Sequence, residues 1–159
     1  MWSLVPSWAP NLHPLVVHFP IALLLTAVTV DVFDVTIARP AWLGTAATGL
    51  YVAGAIGAIA ASMTGLQAAE TVLMPGMAHP VVRDHRLWAL TTTGYFGLLA
   101  TIRLAVGLRA PGGSRRKRRH VLLLAAALTG AVLLQQTAER GARLVYEFGA
   151  GVIGAPGPR

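Results

Sequence analysis

The chain of 159 residues contains no cysteine. That excludes disulfides, thiolate metal sites, cysteine-held iron–sulfur clusters and covalent c-type haem attachment on this chain. Any ligation falls to histidine, carboxylate or methionine. Charge is scarce as well: 12% of residues are charged, against about a quarter in ordinary soluble domains. No Ser-His-Asp ordering, carboxylate pair or phosphate-cradling glycine loop stands out. Gly112-Gly113-Ser114 lacks the strand and the lysine spacing that a phosphate loop needs. Residues 1–11 carry no Lys or Arg, so the basic start of a cleaved signal peptide is not there.

What is present is apolar. Hydrophobic residues make up 55% of the chain and the mean hydropathy is +0.61. Such a composition belongs to a membrane protein, and the bilayer is its first expected partner. The net charge of +7 would point to nucleic acid if it were spread over a surface. It is concentrated instead in Arg115, Arg116, Lys117, Arg118 and Arg119. One basic block beside an apolar run is a topology signal, and no nucleic-acid partner is expected.

The sequence predicts an all-α integral membrane four-helix bundle. The expected spans are about 15–33, 42–64, 85–108 and 120–138, with a charged interfacial tail over 139–159, all in one domain. Each apolar core is close to the roughly 20 residues that cross a bilayer. Pro20 falls in the first turns of span one and predicts a kink. Span two is rich in small residues, with Gly54 and Ala58, and Ala53 and Gly57, four apart. That spacing lets helices approach closely. The positive-inside rule places the basic loop in the cytoplasm of a bacterial inner membrane and both termini on the periplasmic or exterior side.

This topology brings four histidines to one face. His13 and His18 stand at the start of span one, His79 and His85 at the start of span three; only His120 lies at the other end. Intramembrane histidine is costly and marks function by default. His13 and His18 are five residues apart, which turns them about 140° away from each other on a helix. His79 and His85 are six apart, or about 120°. Each segment therefore offers one inward histidine and one nearer the rim. His18 and His85, the deeper members, are expected to face each other across the bundle and to take opposite sides of a haem iron. His13 and His79 are secondary candidates. Arg86 and Gln135, with Arg83, Arg140, Arg143 and Gln136, are candidates to hold haem propionates. The same imidazoles also suit a copper or zinc ion, with Glu70 as an orienting partner. Asp31, Asp34 and Arg103 are expected to pair near the cytoplasmic end, and His120 beside the basic run to be solvated.

The stretch LHPLVVHFPIALLL, the later histidine before a span, and the tail GARLVYEFGAGV resemble a bacterial membrane family catalogued as domain of unknown function 2231. The resemblance covers nearly the whole chain. Members are small four-span proteins, some joined to Rieske-type or cytochrome c domains. It implies membrane electron transfer with a haem b, and partners among periplasmic c-type cytochromes, Rieske-type proteins and other membrane subunits. Three functional readings follow: a b-type cytochrome-like electron-transfer subunit that is not itself catalytic, a non-redox structural subunit of a larger membrane complex, and a histidine-based copper or zinc protein.

Overall fold

A long apolar run in lipid must satisfy its own backbone, and within one segment only the helix does so. The computed structural model describes residues 11–36, 41–72, 75–107 and 114–152 and contains helices with no strand among them. The first crossing is α1 (His13–Val16) followed by α2 (His18–Thr36). Then come α3 (Ala41–Thr71), a 3₁₀ turn (Gly76–Ala78), α4 (His79–Gly107) and α5 (Ser114–Tyr146). Four segments, His13–Thr36, Trp42–Thr71, Gly76–Gly107 and Arg118–Tyr146, are long and apolar enough to cross a membrane. The protein is an all-α membrane bundle of antiparallel helices. Trp2, Trp8, Arg39, Met74, Arg109 and the Gly112-Gly113 pair lie outside the described residues.

The α1–α2 break has a local cause. Pro20 has no N–H to give to the carbonyl of Val16, four residues back, and the chain makes a turn at Val17 before resuming. Asn11 stands just before the crossing, and its Oδ1 accepts the His13 backbone N–H at 2.9 Å, an Asx turn that leads into the helix. Pro14 sits in the first helical turn, where a missing N–H costs nothing.

Each helix packs on its sequence neighbour, and α2 closes the ring against α5. The core is made of Leu24, Ala27 and Val28 of α2, Ala47, Tyr51 and Ala55 of α3, Phe96, Leu99 and Ala100 of α4, and Ala127 and Leu134 of α5. Small residues set the close approaches. A Cβ at Gly54 would lie 2.6 Å from Leu24, and one at Gly130 2.7 Å from the Phe96 ring. Pro20 itself is buried and packs on Gly57. The outward side of every crossing is apolar, with Phe19, Ile56, Leu98, Leu122 and Val132 all exposed. In water that surface would be unstable; in a bilayer it is the lipid face.

The helices outrun the hydropathy. α3 continues past residue 64 to Thr71, α4 begins at His79, and α5 runs on through residue 139 to Tyr146. Hydropathy reports the stretch that lies in hydrocarbon, whereas a helix goes on into the headgroup layer until something stops it. At the end of α5 glycines stop it. Gly149 (φ 65°) and Gly151 (φ 72°) are left-handed. The Ala150 N–H returns to the Leu144 carbonyl at 2.9 Å, as in a glycine-terminated helix. The glycines of the YEFGAGV tail are thus backbone devices.

Candidate functional site

The start of the first crossing, the end of α3, the start of α4 and the end of α5 meet at one end of the bundle. His13 and His85 are the histidines this end turns inward. His13 is half-buried against α3. Its Nδ1 lies 3.0 Å from the Ala61 carbonyl and 3.3 Å from the Thr64 hydroxyl. A carbonyl oxygen can only accept, so Nδ1 carries the proton. Thr64 has its own hydroxyl hydrogen committed to the α3 backbone, at Ala60 or Ala61, and accepts from the same N–H. The neutral ring then has its lone pair on Nε2.

His85 repeats the arrangement on the other side. Its Nδ1 donates to the Thr137 carbonyl of α5 at 3.1 Å. Thr92, buried one helical stretch further on, links its hydroxyl to that of Thr137 at 2.8 Å and to the Leu133 carbonyl at 3.2 Å. Among the described residues neither Nε2 takes part in a hydrogen bond.

Each ring rests on a glycine. A Cβ at Gly65 would come within 2.9 Å of His13 Cε1, and one at Gly141 within 3.1 Å of His85 Cε1. Glycine inside a helix costs about 1 kcal/mol relative to alanine. Here it makes room for an imidazole flat on the opposite helix. Arg140 stands beside this site, its guanidinium 4.6 Å from the Trp88 ring centre and bonded to the Gln136 carbonyl and side chain.

The other expected residues lie elsewhere. His18 is exposed on the outer surface of the bundle beside Phe19, so the inward histidine of the first crossing is His13. Depth in the apolar run favoured His18; the facing, fixed by the 140° between them, selects its neighbour. His79 is exposed and bonds the Gly76 carbonyl within its own turn. Arg86 and Gln135 are exposed; Arg140 and Gln136 are the half-buried members of those types near His85. Glu70 is exposed at the end of α3. Among the described residues no three His, Asp or Glu side chains converge in a metal-binding group.

With this geometry, comparison with known proteins is informative. The family model described as a predicted membrane protein, DUF2231, matches residues 9–154. The chain belongs to that family. No curated protein and no solved structure matches it. The DUF2231 match spans both histidine segments and the glycine tail, and so takes in both halves of the His13–His85 site.

The opposite end holds a second polar cluster that the sequence revealed only in part. Asp31 receives two bonds from Arg103, at 2.8 and 2.6 Å, and one from the Tyr51 hydroxyl at 2.9 Å. The Arg103 guanidinium also lies 4.6 Å from the Tyr51 ring centre. The expected Asp31–Arg103 pairing is therefore present, fully buried. His120 is not solvated as expected: its Nδ1 bonds Asp34 at 2.5 Å, because α5 begins within the bundle and turns this residue toward α2. No local sequence signal links positions 86 residues apart.

Proposed function

We propose that the protein is a membrane electron-transfer subunit that holds one haem b between His13 and His85. One observation carries the reading. Two imidazoles on separate helices, at the same end of the bundle, each commit Nδ1–H to a backbone carbonyl, and neither Nε2 has a hydrogen-bond partner among the described residues. Histidines that ligate a metal almost always donate their other ring nitrogen in this way, which fixes tautomer and orientation. Haem b needs only two such axial donors. A zinc or copper ion bound by protein alone needs three or four, and the described residues bring no third donor to the pair.

When bound, the group supplies one-electron chemistry at its iron. The chain's own residues hold and tune it. Ala61, Thr64 and Thr137 orient the two rings. Gly65 and Gly141 let those rings sit against the helix backbones. Arg140 has guanidinium N–H groups beyond those given to Gln136 and can take a propionate in a charge-assisted bond. The positive-inside rule supports a cytoplasmic basic end and a periplasmic histidine end. The subunit would then exchange electrons with a periplasmic carrier, such as a c-type cytochrome or Rieske-type protein, from a bacterial inner membrane.

The test is the reduced-minus-oxidised absorption spectrum of protein purified with added haem. The expected result is a b-type spectrum in the wild type and in His18→Ala, and its loss in His13→Ala and His85→Ala. Wild-type protein that binds no haem under these conditions contradicts the proposal.

A further inference from the structure

The basic end contains a cavity of about 520 Å³ lined by all four long helices, with Asp31, Asp34, Thr48, Arg103, Arg119 and His120 among its walls. Two of its carboxylates sit in different circumstances. Asp31 accepts three bonds from Arg103 and Tyr51 and is held as a paired anion. Asp34 is only 2% exposed, receives one partner, His120 Nδ1, and has its Oδ1 without any partner among the described residues. A buried carboxylate oxygen with no donor is expensive. The Nε atoms of Arg103 and Arg119 are likewise buried without partners. The cavity therefore offers free donors and a free acceptor together.

We propose that this cavity is a proton-binding site, in which Asp34 and His120 share a proton that exchanges with water entering from the basic end. The volume admits several waters, each of which needs far less space and two to four polar partners. Asp31 and Arg103 satisfy each other, so what is left unspent is one acceptor, Asp34 Oδ1, beside the Nε donors of Arg103 and Arg119. Water, which donates and accepts at once, can serve both. A hydronium ion in the cavity gives its proton to the pair and returns to water; release is the reverse, so charge and atoms balance. The charged groups that share the cavity wall with the pair are Asp31 on its own helix, Arg103 on α4 and Arg119 on α5; Tyr51 on α3 bonds Asp31. Arg103 is paired with Asp31, which leaves Arg119 as the wall's other cation. The proposal is independent of the haem reading.

The experiment is infrared difference spectroscopy, acid minus alkaline, on the full chain in lipid vesicles permeable to protons. The expected result is a protonated-carboxyl stretch that appears on acidification and moves with carboxyl-carbon-labelled aspartate. It is lost in Asp34→Asn and shifted along the pH axis in His120→Gln. His13→Ala leaves it unchanged, which separates this proposal from the haem reading. If Asp34→Asn does not fold, isotope-labelled wild type and His120→Gln carry the test. No labelled-aspartate band responding to pH, a band untouched by Asp34→Asn, or one indifferent to His120→Gln overturns the proposal.

Discussion

At the residue scale the protein turns on which nitrogen of which imidazole is free. His13 and His18 both stand one or two residues before a proline at the head of an apolar run, and depth alone ranked His18 first. The fold separates them by giving His13 two acceptors on α3 and leaving His18 on the lipid side. The angular argument from the sequence was sufficient to say that one of them points inward. It lacked the position of α3, which decides which one. Gly65 follows from the same contact. Gly65→Val should displace the His13 ring at an overpacking cost of about 1–3 kcal/mol, or about five- to 150-fold if it falls wholly on haem affinity. Titrating haem into the apoprotein measures it. At the other end, Asp31→Ala leaves Arg103 buried and unpaired. It should lower stability by about 3–5 kcal/mol, read as an earlier midpoint in denaturant-induced unfolding in detergent micelles.

At the scale of helices, hydropathy and proline placement were enough to find every crossing, because each run has to satisfy its backbone alone. The end of α5 was not legible, since the helix continues through polar residues that hydropathy reads as tail. Small-residue spacing in span two did foretell close packing, seen where Gly54 meets Leu24. The α4–α5 contact at Gly130 has the same spacing, with Ala126 four residues before it. Gly130→Leu should push Phe96 from its place and destabilise by about 1–3 kcal/mol, seen as a lower thermal midpoint. The end of α5 carries a small pH dependence. The hydrogen bond from Arg143, at 2.9 and 3.0 Å, lowers the Glu147 carboxyl below its ordinary value of 4.5. A depressed acid stabilises the folded form above its ordinary value and loses that contribution as pH falls through the folded one. Amide signals of Phe148 and Gly149 should therefore broaden on acidification below about pH 4 and stay sharp at neutral pH.

For the whole molecule, the two polar sites sit at opposite ends of an apolar bundle, one of free imidazoles and one of paired charges. The sequence placed the four early histidines at one end through topology alone. It did not reveal that Asp34 and His120 meet, since only packing brings α2 and α5 together. Orientation in the bilayer is open to direct test because the chain has no cysteine of its own. Met77→Cys, at an exposed position near the histidine end, should react with an impermeant maleimide applied to spheroplasts. Ser114→Cys should react only once the membrane is broken.

The most direct measurement is low-temperature electron paramagnetic resonance of the haem-loaded ferric protein. A low-spin signal of bis-imidazole ligation is predicted in the wild type and in His18→Ala, and its disappearance in His13→Ala and His85→Ala. A signal that survives His13→Ala and vanishes in His18→Ala would contradict the pairing drawn here.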